Sequence, residues 1–528
     1  MSLTIKTFIS CFLMVFLSFN SEGQTNINIS NTNLFGGEPH LAVNPTNNQN
    51  LVAAWMDIVF INGGFFMTIK TRASFDGGNS WSATFNQPHM SPTYGSADPS
   101  MGFNSSGLLY LSYIDYREAP DSGGIYVTRS ANGGLSWDTP SMAFDMYDHP
   151  TQRPIDRPWM VVDKSGTSSD GTVYITTKPA PWINPPSRNY YKVSTDNGIT
   201  WSAIANVDGG IHLVGSSISQ PLAAPAVTVG GDFVAVYPSY VSSQNPLPSF
   251  YLATSDDQGQ TFNYQTVYYG VPANSNQNFK KGYQLLTHPS DATKMTFLTV
   301  EASNGDADII CRNTIDAGAN WSTVSRINDD AIGNGMAQDM VWGSYNETGN
   351  LVVTWRDRRN SNVSDFWGAG YDFYYAVSTD NGQTFAQNNK ISSQFIPFDS
   401  LISENGNDFM SNVYRGDTLC TVWGDTRSGK MQIYFTKTIA STNTTIGVSE
   451  LNKDSYNWTV SPNPTSNYLK LEFQDNSFRI ITIIDEIGRK VWYGTANKKE
   501  VEVSLTGVSK GTYLVIVGEE FRKIIIEK

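Results

Sequence analysis

The residues best suited to chemistry recur as an aromatic–x–Asp unit, which an arginine follows two positions later in three of four copies. Arginine binds a carboxylate through two parallel hydrogen bonds, and a carboxylic acid can protonate the leaving oxygen of a glycoside. The pattern is therefore compatible with a site for an acidic sugar. The four segments are Trp55–Asp57, Tyr113–Arg117, Trp355–Arg359 and Trp423–Arg427.

A structural explanation competes with the chemical one. In a strand, side chains two positions apart point to the same side, so each aspartate could simply pair with its own or a neighbouring arginine and cap the end of a strand. Repetition at equivalent positions favours this alternative, because catalytic groups normally break symmetry.

A second set of charged residues stands at the start of apolar, strand-like runs. If those runs are arranged around a common axis, their first residues ring one mouth of a central channel. The set comprises Glu38, Asp98, Asp156, Arg157, Asp339 and Asp408.

The elements that must position these side chains follow from an internal repeat. Six segments share the pattern Ser/Thr–x–Asp/Asn–x–Gly–x–x–Trp/Phe, and their third positions are 56, 64, 61, 59 and 64 residues apart. In this pattern the Asp or Asn side chain accepts backbone N–H groups, glycine supplies a positive φ, and the aromatic residue folds back as an apolar plug. The segments are Ser74–Trp81, Ser130–Trp137, Ser194–Trp201, Ser255–Phe262, Thr314–Trp321 and Ser378–Phe385.

Each repeat carries four short strand-like runs, with the turn between the third and the fourth. Four antiparallel strands repeated at a fixed period of this size predict an all-β propeller. A seventh unit, from 408 to 437, has three such runs but no turn segment, and 26–30 could supply its fourth strand. We therefore favour seven blades, and six remains the alternative.

Length and composition set the limits of this interpretation. The net charge is −13, which disfavours nucleic acid as a partner. Residues 1–23 have the charged start, apolar middle and small residues of a signal peptide. We expect a propeller over 24–440, a linker over 441–456 and a small β-sandwich over 457–528. Cys311 and Cys420 lie in apolar runs, where buried thiols are expected.

Two resemblances follow from these motifs. The repeated turns of 25–440 resemble the Asp-box (BNR) repeats of the sialidase (neuraminidase) superfamily. The tail resembles the C-terminal sorting domain of the type IX (Por) secretion system of Bacteroidetes, through Pro462–Pro464, Asp485–Arg489, Gly511–Leu514 and Lys523–Ile526. The resemblance of the tail to this sorting domain implies export across the outer membrane, with release or attachment at the cell surface. It also implies contact with the secretion machinery.

The sialidase resemblance also implies site residues. Sialidases use a tyrosine nucleophile activated by a glutamate and an arginine cluster that binds the sugar carboxylate. Here the first unit has Glu38-Pro39-His40 in place of the family's Arg-Ile-Pro-type segment, so the residues cannot be transferred directly. The candidates are Asp98, Asp115, Arg157, Tyr240, Glu301, Asp357, Arg359, Asp425 and Arg427, with Glu301 as the acid–base and Tyr240 as the nucleophile.

Two functions therefore stay open: a secreted sialidase-like glycoside hydrolase, or a propeller that binds glycan or protein without catalysis. We expect a monomer with a glycan or glycoprotein partner. No cofactor is indicated. The acidic pairs Asp256–Asp257 and Asp329–Asp330 could touch structural Ca²⁺, although solvated loops fit them better.

Overall fold

The structure is a computed structural model that divides into two compact units, Met1–Thr444 and Thr445–Lys528. It describes residues 25–527 except 33, 62, 118–120, 185–186, 216–220, 242–247, 270–281, 362–369, 398–406, 441–457, 486–488 and 518–519. The predicted signal peptide and linker lie outside the described residues. No helix in the described part of the chain is long and apolar enough to cross a membrane.

The described residues of the first unit form seven four-stranded antiparallel sheets, and sheets 1 to 6 each follow chain order from the first strand to the fourth. Sheet 7 takes its fourth strand from the N-terminus. There β1 (Ile27–Asn28) pairs with β28 (Gln432–Ile439) through Ile27↔Phe435 and Asn28↔Tyr434. The strands of sheets 1 to 4 are β2 (Gly36–Asn44), β3 (Asn47–Ile61), β4 (Gly64–Ser74), β5 (Phe85–Asn86); β6 (Tyr94–Phe103), β7 (Leu109–Arg117), β8 (Gly123–Ser130), β9 (Ser141–Asp145); β10 (Asp156–Val162), β11 (Val173–Lys178), β12 (Tyr190–Ser194), β13 (Ala205–Asn206); β14 (Ala224–Val227), β15 (Phe233–Ser239), β16 (Ser249–Ser255) and β17 (Asn263–Tyr269). Those of sheets 5 to 7 are β18 (Tyr283–Thr287), β19 (Met295–Glu301), β20 (Asp308–Thr314), β21 (Ser325–Arg326); β22 (Gln338–Tyr345), β23 (Leu351–Asp357), β24 (Asp372–Ser378), β25 (Asn389–Lys390); β26 (Ser411–Arg415), β27 (Thr418–Asp425), β28 (Gln432–Ile439) and β1 (Ile27–Asn28).

The sheets close into a ring. The first strand of each sheet contacts the first strand of the next, and β26 of sheet 7 contacts β2 of sheet 1. The core consists of separate apolar clusters, and each cluster formed by the sheets of this unit lies between two neighbouring sheets. Leu111 of sheet 2 packs with Val52 of sheet 1, and Val422 of sheet 7 packs with Trp55 of sheet 1. A propeller buries its apolar surface in this way, between sheets that face each other.

The Asp boxes form the turns between third and fourth strands as predicted. In the first box, Ser74 Oγ donates to Asp76 Oδ1 at 2.8 Å, and the N–H of Ser80 donates to the same oxygen at 2.9 Å. Gly78 of this box has φ +86°, and a Cβ there would lie 2.3 Å from Phe435. The box aromatic Trp81 packs in the cluster between sheets 7 and 1, so the box links its own sheet to the preceding one.

The second unit has two sheets, of three and four strands, in the orders β29-β30-β33 and β32-β31-β34-β35. Residues from both sheets share one apolar cluster, which includes Leu471 and Ile483. The strands are β29 (Trp458–Ser461), β30 (Tyr468–Phe473), β31 (Arg479–Asp485), β32 (Lys490–Ala496), β33 (Glu500–Ser504), β34 (Gly511–Val517) and β35 (Glu520–Ile526).

Candidate functional site

The aspartate of the repeated aromatic–x–Asp–x–Arg unit is fully buried in sheet 6. Trp355 Nε1 donates to Asp357 Oδ2 at 2.7 Å, and Arg359 donates to the same oxygen through Nε at 3.0 Å and Nη2 at 2.8 Å. The guanidinium lies 4.4 Å from the ring centre of Tyr374. Burial raises the pKa of Asp357, and the hydrogen bonds from Arg359 oppose that rise. We call this arrangement of tryptophan, aspartate and arginine a strand-end lock.

Sheet 7 has the same strand-end lock. Trp423 Nε1 donates to Asp425 Oδ2 at 2.8 Å, and Arg427 Nη2 donates to that oxygen at 2.7 Å. The guanidinium stacks 4.5 Å from the centre of Tyr434 and also donates to Asn26 Oδ1 at 3.2 Å. These contacts hold Arg427 against its own sheet and the N-terminal segment.

Sheet 2 lacks the arginine of the lock. The carboxylate of Asp115 accepts the hydroxyl of Ser96 at 2.8 Å and the N–H of Met90 at 2.7 Å, and it contacts His89 Nδ1 at 2.9 Å. Arg117 Nη1 instead donates to Asp121 Oδ2 at 2.8 Å. Asp115 therefore secures the connection that leads into the first strand of its sheet.

The candidate nucleophile and acid–base have separate surroundings. Tyr240 follows β15 and is half-buried, and its N–H donates to the carbonyl of Val214 at 2.9 Å. Glu301 is the last residue of β19 and is buried. Burial raises the pKa of Tyr268, and the charge of the Glu301 carboxylate raises it further. The tyrosine that interacts with Glu301 is thus Tyr268, in the neighbouring sheet 4.

The first strands of sheets 1, 2 and 3 begin with an uncommon backbone conformation. Glu38, Asp98 and Arg157 have φ of 48°, 54° and 53°, and a proline follows each of them. Each also lies at a β-bulge, where the register of the strand shifts. A non-glycine residue with positive φ costs about 1–3 kcal/mol and is concentrated at functional sites. The bulges turn three charged side chains toward one another.

These side chains form a charged cluster with Asp408, which we call the upper mouth. Arg157 Nη2 makes an ion pair with Asp408 and lies 4.0 Å from Glu38 Oε1. The N–H of Arg157 donates to Asp98 Oδ2 at 3.3 Å. The structure therefore brings the predicted residues Asp98 and Arg157 together, and adds Glu38 and Asp408 to them.

The surroundings of the Glu38 carboxyl group favour its neutral form. The residue is 3% exposed. Burial raises its pKa well above the ordinary value, and the adjacent carboxylates of Asp98 and Asp408 raise it further, against the opposing effect of Arg157. Two neighbouring carboxylates of this kind cannot both be ionised without a large energetic cost. Glu38 is thus a buried carboxyl group beside Asp98 whose pKa lies well above the ordinary value.

A second ion pair completes the upper mouth. Lys178 at the end of β11 pairs with Asp156 at the start of β10. Burial raises the pKa of Asp156, and the charge of Asp98 adds to that rise. The residues named here and above are two cations and four carboxyl groups, of which Glu38 favours its neutral form, so negative charge is in slight excess among them. A cavity of about 200 Å³, lined by Arg157, Lys178 and Asp408, opens beside them.

An aromatic plug closes the channel below the upper mouth. Trp159 stacks on Trp342 with ring centres 5.6 Å apart and planes inclined by 10°. His40 meets the same indole edge-on at 5.6 Å, and Phe409 packs against both tryptophans. Burial lowers the pKa of His40 to about 4, so its imidazole is neutral. The plug gives the upper mouth an apolar floor.

The sequence did contain a signal for Glu38. A charged residue followed by proline begins the first strand of three consecutive units, at Glu38-Pro39, Asp98-Pro99 and Arg157-Pro158. The acidic pairs considered for Ca²⁺ serve other contacts. Asp257 holds an Asp box, and Asp329 pairs with Arg359 at 2.5 Å. Among the described residues, no group of three or more His, Cys, Asp or Glu could hold a metal ion.

Comparison with known proteins places this geometry in context. Residues 116–367 match the family described as BNR repeat-like domain, and residues 459–527 match the secretion system C-terminal sorting domain. The sorting domain marks the chain for type IX export to the cell surface or beyond. No curated protein matches the chain significantly.

Solved structures with a similar fold include enzymes of two kinds. The Hadza microbial sialidase Hz136 is 14% identical with a TM-score of 0.42, over 71% of this chain and 73% of that one. The GH93 alpha-L-arabinofuranosidase of Fusarium graminearum is 11% identical with a TM-score of 0.44, over 78% and 97%. A protein of unknown function from Dyadobacter fermentans is 16% identical with a TM-score of 0.40, over 64% and 95%. At these identities the likeness concerns the fold.

Proposed function

Because the chain carries a BNR repeat-like propeller and a type IX sorting domain, we propose that it is an exported glycoside hydrolase whose acid–base chemistry lies at the upper mouth. The observation that carries the proposal is the buried carboxyl group of Glu38, whose pKa is raised well above the ordinary value. In the common two-carboxylate mechanism of glycoside hydrolysis, such a neutral carboxylic acid protonates the leaving oxygen and a second carboxylate assists it.

Glu38 and Asp408 are the two carboxyl groups that we assign to this chemistry. Glu38 donates the proton, and its burial together with the charge of Asp98 favours the protonated form. Asp408, paired with Arg157, serves as the second carboxylate, which either activates water or attacks the anomeric carbon. Arg157 lies between these two groups and holds them at a fixed separation.

The charge of the upper mouth favours a neutral sugar as the substrate. Its two cations, Arg157 and Lys178, are engaged by Asp408 and Asp156. Arg359 and Arg427, which the sequence suggested for a sugar carboxylate, are engaged in the strand-end locks. A sialoside would therefore bring its carboxylate toward arginines and a lysine that, among the described residues named here, already pair with carboxylates.

The test compares hydrolysis of a panel of neutral aryl glycosides and an aryl sialoside by the chain from residue 24 to 528. We expect turnover of a neutral glycoside and a loss of about 10²–10⁴-fold in kcat for Glu38→Gln, the range for removing a general acid. Glu502→Gln, an exposed glutamate of the second unit, is the control and should retain full activity.

Other outcomes would correct the proposal in defined ways. Turnover of the sialoside alone would show that the preference for a neutral sugar is wrong. Loss of activity in Glu301→Gln but not in Glu38→Gln would move the acid to the interface of sheets 4 and 5, beside Tyr268.

Glycan binding without hydrolysis is the second candidate. The observation in its favour is that the described lining of the cavity beside Arg157 and Lys178 includes Asp408 and Phe409 but not Glu38, the group assigned as the acid. Calorimetric binding of a glycan that is not hydrolysed, weakened by Phe409→Ala in the same cavity, would establish this function.

A further inference from the structure

A second cavity lies on the other side of the aromatic plug. The first strands run away from the upper mouth, and the residues at their far ends line a cavity of about 500 Å³, with Trp159 and Trp342 among its walls. We call this end of the channel the lower mouth. It lies on the same side of the propeller as the Asp boxes. The first and third strands of each antiparallel sheet run in the same direction, the lower mouth is at the far ends of first strands, and the boxes are at the far ends of third strands. Its volume is that of an ordinary small-molecule site.

Two cations face the lower mouth. Lys164 follows β10 and is exposed to the cavity, and its ammonium has no hydrogen-bond or ion-pair partner in the described part of the chain. Arg415 ends β26 and donates from Nη1 to Glu347 Oε1 at 3.1 Å. The Nε of Arg415 is buried and lacks a partner among the described residues. Two cations with unused donors beside one carboxylate leave the lower mouth positively charged.

The pKa of Lys164 also favours an anion at this site. Lys164 is exposed to the cavity, and desolvation by the surrounding protein lowers its pKa to about 8. Arg415 lowers it as well, while Glu347 raises it. A bound anion would oppose both effects that destabilise the charged lysine.

The remaining walls are mostly apolar. Val162, Leu286 and Ala226 line the sides, and the two stacked indoles form the end wall. Gln284 is a polar group within the wall, and its side-chain oxygen accepts the N–H of Gly343 at 2.8 Å. A ligand that fits these walls combines one anionic group at the cations with a compact ring that contacts the tryptophans, as sugars do on aromatic faces.

We propose that the lower mouth is a second ligand site, which binds a sugar carrying a carboxylate, with the carboxylate on Lys164 and Arg415 and the ring toward Trp159 and Trp342. The acidic upper mouth and the basic lower mouth would thus select sugars of different charge at the two ends of one channel. This inference stands on its own residues and does not depend on hydrolysis at Glu38.

The test is calorimetric titration of the chain from residue 24 to 528 with sodium glucuronate and N-acetylneuraminate at pH 7, with glucose and inorganic phosphate as comparisons. We expect at least one sugar acid to bind, glucose and phosphate to bind at least tenfold more weakly, and Lys164→Met to weaken sugar-acid binding at least tenfold. Lys437→Met should not change it, because Lys437 lies outside this cavity and bonds to Asn79 at 2.6 Å. Glu38→Gln should not change it either, which separates this site from the upper mouth.

The pH dependence of sugar-acid binding provides a second test, with Lys164→Arg as a variant that keeps the positive charge at this position. Three titratable or charged groups face Lys164 from neighbouring elements: Arg415, Glu347 and His288. The pKa of Glu347 lies below its ordinary value, as does that of His288, which burial lowers. Lys164 is therefore the member of this group that titrates between pH 7 and 9.5. Binding should fall over this range in the wild type and persist in Lys164→Arg.

Three results would overturn the proposal. They are binding of glucose as tight as that of the sugar acids, equal binding of phosphate, which would indicate a site for small free anions, and undiminished binding by a folded Lys164→Met variant.

Discussion

Glu38 combines two properties that rarely occur together, since it is almost fully buried and its neighbours carry charges of its own sign. Burial, Asp98 and Asp408 all raise its pKa, and Arg157 offsets only part of this effect. An arrangement that penalises the charged form of a residue costs stability wherever the unfolded chain would ionise that residue. Such a cost is typical of a group that is tuned for proton transfer.

This cost can be measured as a change of stability with pH. The unfolded chain ionises Glu38 near the ordinary value of 4.5, whereas the folded chain holds the proton to a higher pH. Stability attributable to Glu38 is therefore present below pH 4.5 and is lost as the pH rises toward the folded pKa, with about 1.4 kcal/mol for each unit of difference. Glu38→Gln should match the wild type in urea midpoint at pH 4.5 and exceed it at pH 8. A midpoint for Glu38→Gln that falls below the wild type at pH 8 would show that the carboxylate stabilises the fold.

The sequence indicated part of this cluster and missed the rest for a geometric reason. Asp98 and Arg157 were candidates for catalysis, while Glu38 and Asp408 were predicted only to lie with them around one mouth of the channel. Regular alternation along a strand predicts which face a side chain occupies, but Glu38, Asp98 and Arg157 have positive φ at bulges. A proline normally favours an extended residue before it, so the sequence predicted these charges at one mouth of the channel but could not show that bulges would bring their side chains into contact.

At the scale of the element, the strand-end lock ties the end of a second strand to its own sheet. The aspartate receives an indole N–H and a guanidinium at the same oxygen, as Asp425 does at 2.8 Å from Trp423 and 2.7 Å from Arg427. The sequence predicted the repetition and the possibility of such pairing. It could not show that the guanidinium would also stack on a tyrosine of the next strand, because that contact depends on the register of β27 and β28.

Removing the arginine from the lock should reduce stability. Arg427→Ala leaves Asp425 buried with two donors among the described residues, the indole and the backbone N–H of residue 427, and breaking a buried ion pair costs about 3–5 kcal/mol. We expect a lower urea midpoint, and Arg489→Ala, an exposed arginine of the second unit, serves as the control. If Arg427→Ala instead keeps its stability and loses glycoside turnover, Arg427 belongs to the substrate site rather than to a lock.

At the scale of the whole molecule, the turn segments carried most of the fold prediction. Their spacing predicted repeated four-stranded units, and their serine, aspartate and glycine residues form the predicted turns. The box aromatics were expected to fold back as plugs, and the structure adds that each packs between its own sheet and the preceding one, as Trp137 does between sheets 2 and 1. That relation depends on which sheets become neighbours, and a single repeat contains no information on this point.

Closure of the ring depends on a very short N-terminal strand. Ile29 is 1% exposed in the cluster shared by sheets 7 and 1, and its N–H donates to the carbonyl of Ile433 at 2.9 Å. Because the pairing of β1 with β28 also covers an otherwise open sheet edge, loss of this anchor should both destabilise the ring and expose a strand that can pair with other chains.

Ile29→Ala tests this role. The substitution should cost about 2–5 kcal/mol, the range for a buried isoleucine, and should promote concentration-dependent oligomers through β28. Urea unfolding and light scattering after size-exclusion chromatography measure the two effects. Leu34→Ala, at a nearby residue that is 44% exposed, should change stability by less than about 0.5 kcal/mol. Equal midpoints and equal masses for the two variants would mean that the other three strands of sheet 7 close the ring without β1.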